Sequence, residues 1–156
     1  MDRNIYPVVV DYEMNLEEVV REGRYSRVNP NINSKNFPPT RKGKVALNIV
    51  LIHLGRRISP KAALDELERI GYRPADLLEL LVFGARYPDV QMEFCVVSLS
   101  TWENPNGYRY ITQLFGCHID YRAVFFHSFR LWCELNWRFA AIRKENPTTN
   151  PDKSGQ

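Results

Sequence analysis

Two helices with clear start and stop signals sit in the middle of the chain, and they constrain the fold more than any other feature. Ser59 stands at an N-cap position and Pro60 at the first helical position. Ala62, Ala63, Leu67 and Ile70 then form one apolar stripe before Gly71 ends the helix. A second helix is expected to open at Pro74, to bury Leu77, Leu78, Leu81 and Val82, and to stop at Tyr87-Pro88. The runs on either side follow a strand pattern instead. Ile5–Tyr12 is short and β-branched, with Pro7 pointing to an edge position. Lys44–Leu54 reads as a buried strand. Phe94–Ser100 and Tyr108–Leu114 read as strands around an Asn104–Gly107 turn, and Arg138–Lys144 as the last strand.

Between these lie a short helix, Leu16–Glu22, capped by Asn15 and stopped by Gly23, and a proline-rich loop over Arg24–Gly43. Residues 147–156 read as a polar, disordered tail. The expected architecture is α+β: one domain over residues 1–146, two helices beside a small mixed or antiparallel sheet, and a long irregular segment before the last strand. At 156 residues the chain can bury about 70% of its unfolded surface without cross-links.

Bulk properties narrow the function classes. A net charge of +3 is mildly basic and argues against nucleic acid as the partner. Three cysteines at no metal-ligand spacing do not make a disulfide framework. The N-terminus carries acids early and lacks the apolar run of a signal peptide or membrane anchor, so no membrane insertion is expected. The sequence holds no nucleophile elbow, metalloprotease motif, Gly-rich phosphate loop or CxxC, and implies no catalytic residue, metal or cofactor. Asp65, Glu66 and Glu68 read as a solvated helix face, and His53 as a hydrogen-bonded core histidine.

The most unusual stretch is Gly116–Lys144, which crowds Tyr121, Phe125, Phe126, Phe129, Trp132 and Trp137 beside two histidines and two cysteines. Cys117, His118, His127 and Cys133 are zinc-type ligands, but an adjacent first pair followed by wide gaps fits no common site. If Arg122–Phe129 is extended, Arg122, Val124 and Phe126 share one face, while Tyr121, Ala123, Phe125 and His127 share the other. The first set then belongs to the scaffold with Phe129, Trp132, Arg138 and Phe139. The second set belongs to a display surface. Every residue from Cys117 to Asn136 except Trp132 and Glu134 also falls within the set encoded by any-any-pyrimidine codons, the set obtained by randomising the adenines of an Asn codon.

That segment, closing on Arg138-Phe139-Ala140-Ala141-Ile142-Arg143-Lys144, resembles the variable region of the target proteins of diversity-generating retroelements. The run from Ala46 to Trp102 also resembles the frame of small proteins of this kind from bacteria with reduced genomes, archaea and their viruses. The resemblance implies a C-type-lectin fold and a binding protein, not an enzyme. Its surface would be rewritten by error-prone copying at adenines, to recognise a protein or other surface ligand. The implied ligand-binding positions span about 117–137. Tyr121, Phe125 and Trp137 are the anchors, and His118, Asp120, His127, Arg130, Glu134 and Asn136 supply polar specificity. Ile119, Ala123, Cys133 and Leu135 complete the set. Glu134 departs from the pattern, since adenine changes in an Asn codon cannot produce it. Two other classes remain alternatives: a metal-binding or formylglycine-generating-like enzyme using the Cys/His cluster, and a nucleic-acid-binding module that stacks bases on Tyr108, Arg109 and Tyr110.

Overall fold

The computed structural model describes residues 5–118 and 120–145. Residues 147–156, expected to form a tail, lie outside the described residues, as does Ile119. Over the described residues the fold is mixed α+β, with an open, mostly antiparallel sheet of eight strands and four helices. In chain order these are β1 (Ile5–Asp11), α1 (Leu16–Gly23), β2 (Arg27–Val28), β3 (Lys44–Ile52), α2 (Pro60–Arg69), β4 (Tyr72–Pro74), α3 (Leu77–Arg86), α4 (Val90–Glu93), β5 (Val96–Glu103), β6 (Arg109–Cys117), β7 (Tyr121–Ser128) and β8 (Arg138–Arg143).

The sheet runs β1-β3-β8-β5-β6-β7-β2, with β4 also on β8. One edge of β8 pairs antiparallel with β3. Its other edge is shared by β5, parallel, near its start and by β4 near its end. Alternate side chains along the central strands therefore supply two cores. Val96, Leu114, Val124 and Ala140 join Leu16 and Val19 of α1 and Leu80, Leu81 and Phe83 of α3. Val97, Ile111, Phe139 and Ala141 join Ala63 and Leu67 of α2, with Ile58, Cys133 and Trp137.

Local signals explain most elements. Pro7 lies on edge strand β1, where its carbonyl accepts the Tyr87 hydroxyl at 2.6 Å. The Asn15 side chain accepts the Glu17 N–H at 2.8 Å, so Asn15→Ala is expected to lower stability by about 1 kcal/mol in urea denaturation. Ser59 Oγ accepts the Ala62 N–H at 3.1 Å. Gly71, at φ 91°, takes the left-handed turn out of α2 that a side chain would resist.

Several expectations are corrected. Gly23 is the last residue of α1, and Arg24 carries the left-handed cap at φ 52°. Pro74 ends strand β4, and Asp76 begins α3 through a reciprocal capping box with Glu79. Ala62 and Ile70 face solvent, leaving Ala63 and Leu67 as the buried stripe of α2. The loop over Arg24–Gly43 contains β2, which pairs in parallel with β7. The segment before β8 is irregular only between Ser128 and Arg138, because β7 pairs with β6 along its whole length. Among the described residues no helix is long and apolar enough to cross a membrane.

Candidate binding surface

Strand β7 divides its side chains as a two-residue period requires. Arg122, Val124 and Phe126 turn toward α1 and α3. The Arg122 guanidinium lies 4.6 Å from the centre of the Tyr25 ring and donates to the Gly84 carbonyl at 2.7 Å. Val124 is fully buried, and Phe126 stacks on Trp102 and Tyr110 at 5.2 and 5.5 Å. Gly116, opposite Arg122, has no room for a side chain, since a Cβ there would lie 2.5 Å from the Gln91 carbonyl oxygen.

The other face carries Tyr121, Ala123, Phe125 and His127, continued across the ladder by Phe115 and Gln113. Tyr121, Phe125 and His127 are half-buried, and the Phe125 ring lies 6.0 Å from Phe115. Ala123 was expected on display but is fully buried; a methyl opposite Phe115 lies beneath the larger rings beside it. His118 and Asp120 are exposed in the β6–β7 turn, with His118 left-handed at φ 58°.

His127 joins this face to the connection between β7 and β8. Its ring meets Trp137 edge-on at 4.8 Å, and Nε2 lies 3.3 Å from the Leu131 carbonyl oxygen. The connection is then held through its backbone. Cys133 N–H donates to the Ile58 carbonyl at 2.7 Å and its carbonyl accepts the Ile58 N–H at 3.2 Å. The Leu135 carbonyl accepts His53 Nε2–H at 3.0 Å. His53 is thus an exposed clamp, not the core histidine expected.

Between these anchors the side chains face outward. Leu131 is 57% exposed, Trp132 54% and Leu135 54%, with Arg130, Glu134 and Asn136 exposed beside them. Arg57 flanks this patch, 5.8 Å from the Trp132 ring centre and 3.5 Å from Glu134 Oε1.

The two tryptophans therefore exchange the roles expected of them. Trp137, expected as an exposed anchor, is 8% exposed and packs in the α2-side core. Trp132, expected in the core, stands in solvent. Cys133, expected at the surface, is fully buried. Burial, with a smaller push from Glu134, raises its thiol to about 12, so it stays protonated at neutral pH. Phe129 packs partly buried against the same core, Phe139 lies within it, and the Arg138 guanidinium covers the Phe94 ring at 4.0 Å. Among the described residues no three His, Cys, Asp or Glu side chains gather where they could hold a metal ion.

Sequence reasoning missed Leu131, Arg57 and Phe115. Leu131 and Trp132 sit in a stretch with neither a helical nor a strand period, and contacts from the distant residues Ile58 and His53 and from His127 fix its path. No protein-family model, no curated protein and no solved structure matches this chain.

Proposed function

We propose that this chain is a binding protein of the diversity-generating-retroelement kind, built on a C-type-lectin-like frame, with an exchangeable surface over β7 and the connection to β8. One observation carries it. The contacts that fix the path of 131–135 go to backbone atoms: the Leu131 carbonyl, both polar groups of Cys133 and the Leu135 carbonyl. The side chains at 130–132 and 134–136 can then change without loss of those contacts, provided Cys133 and Trp137 remain.

The chemistry on show suits a protein partner. Trp132, Leu131 and Leu135 supply apolar area, while Arg57, Arg130 and Glu134 supply charge at its margin. Tryptophan and arginine are the residues that most often dominate protein interfaces. Tyr121 and Phe125 extend the surface along β7, and His127 borders it while its ring holds the Leu131 carbonyl. Ala123, Cys133 and Trp137 belong to the frame.

The test is to sequence the DNA flanking the gene. The expected result is a near-copy of the stretch encoding residues 117–144. Its differences should fall almost wholly at adenines and map to exposed positions, with the codons for Ala123, Cys133 and Trp137 unchanged. Absence of any copy and of a nearby reverse transcriptase gene would sink the proposal. So would a copy whose differences fall on the buried positions.

A further inference from the structure

On the opposite side of the sheet lies a cavity of about 540 Å³. Thr112 lines it, and the ladder pairs Thr112 with Phe126, whereas the outward face of β7 carries Phe125 and His127. The cavity is therefore separate from the surface just described. Its volume lies within the usual range for small-ligand sites, about 300–1,000 Å³.

Three rings line it: Tyr12, Phe37 and Trp102. Phe37 and Trp102 lie 5.8 Å apart, and Trp102 is braced from behind by the stacked rings of Tyr110 and Phe126. The charged residues of the lining are Glu13, Arg41 and Asp76, two carboxylates to one guanidinium. Arg41 is already engaged. Its Nη1 donates to buried Glu79 at 2.8 Å and reaches Asp76 Oδ2 only at 3.3 Å. Asp76 Oδ1 caps α3 by accepting the Glu79 N–H at 2.8 Å, while Oδ2 accepts from Arg41 at 3.3 Å and keeps a lone pair for a second donor. Burial and the neighbouring Glu79 charge hold the Asp76 carboxyl above its ordinary pKa, against the opposing pull of Arg41 and Arg73. An anion has no seat here, because Asp76 already occupies the start of α3.

We propose that this cavity binds a small organic cation, an amine or amidinium on a flat apolar body. The cationic head would meet Asp76 Oδ2 and the body would lie against Trp102 and Phe37. Aromatic faces attract cations, and a desolvated carboxylate gives the head a charge-assisted hydrogen bond.

Benzamidine and tryptamine are suitable probes, with benzoate and indole-3-acetate as ring-matched controls of opposite charge. In an NMR titration of the full chain, the amines are expected to shift the Thr112 amide and Trp102 indole resonances, with Kd on the order of 1 mM. The carboxylates are expected to bind at least about tenfold more weakly. Asp76→Asn keeps a capping side chain, and its amine affinity is expected to fall about tenfold. Phe37→Leu, outside the charge cluster, is expected to weaken the amines about fivefold. Three results would each overturn the proposal: no shift at these residues up to about 10 mM amine, equal binding of the carboxylates, or unchanged amine affinity in both folded variants.

Discussion

Glu79→Ala is expected to lower stability by about 3–5 kcal/mol, read as a drop in the urea midpoint. Glu79 is fully buried near the start of α3 and accepts hydrogen bonds from four directions. Tyr12 Oη donates at 2.5 Å, Arg41 Nη1 at 2.8 Å, Arg73 through both terminal nitrogens at 3.0 Å, and the Asp76 N–H at 2.8 Å. These donors come from the end of β1, the loop before β3, strand β4 and the cap of α3. Truncation removes the one acceptor they share, leaving the Tyr12 hydroxyl buried without it and the two guanidiniums facing an apolar gap, against a typical total stability of about 5–15 kcal/mol. Glu79→Gln keeps the shape but turns an amide N–H toward the Arg73 fork, so it restores only part of the loss.

The pH dependence carries the same signature. Burial alone would raise the pKa of Glu79, but hydrogen bonds from Arg73, Tyr12 and the Asp76 N–H outweigh it and hold the carboxyl below its ordinary 4.5. A carboxylate with a depressed folded value contributes stability that is present above the unfolded value and lost as pH falls through the folded one. Asp76, raised above its ordinary 3.8, acts in the opposite sense. Wild type and Glu79→Gln are therefore expected to converge in stability as pH falls below 4.5. A constant gap across that range would assign the loss to packing instead of charge.

Trp137→Ala is expected to cost about 3–5 kcal/mol, whereas Trp132→Ala costs no more than about 1 kcal/mol. Trp137 fills the α2-side core beside Cys133 and backs the His127 ring. Trp132 is 54% exposed and stacks with Arg57 at the surface. Thermal denaturation of the two variants side by side checks the pair. Equal losses would mean that the connection packs as one unit and that its outward residues are not free to change.

How far the fold was legible depended on whether a segment carried its own period and punctuation. The elements β1, α2 and β8, and the turn at Asn104–Gly107, follow from local residues alone. Strand β4 did not, because Pro74 before a leucine-rich run imitates a helix start, and only its pairing with β8 reveals the strand. The alternation along β7 correctly separated Arg122, Val124 and Phe126 from Tyr121, Phe125 and His127. It failed at Ala123, since facing outward does not expose a methyl among rings. In the irregular connection no period operates. Trp132 and Trp137 are the same residue type in similar surroundings of sequence, and contacts to the segment between them from distant residues, Ile58 and His53, are not read from that sequence. The charge cluster around Glu79 was invisible for the same reason, as its members are spread from Tyr12 to Glu79.

The position of β8 has a consequence for chain synthesis. It follows residues 117–137 in sequence yet sits in the middle of the sheet, between β3 and β5. A replacement that shifts the reading frame within 117–137 or introduces a stop deletes this strand, leaving β3 and β5 with unpaired edges and both cores open. Such products fail to fold and are exposed to proteolysis, whereas in-frame exchanges keep the strand that closes the molecule. If the segment is rewritten as proposed, folding itself screens the products for an intact frame before any ligand is met.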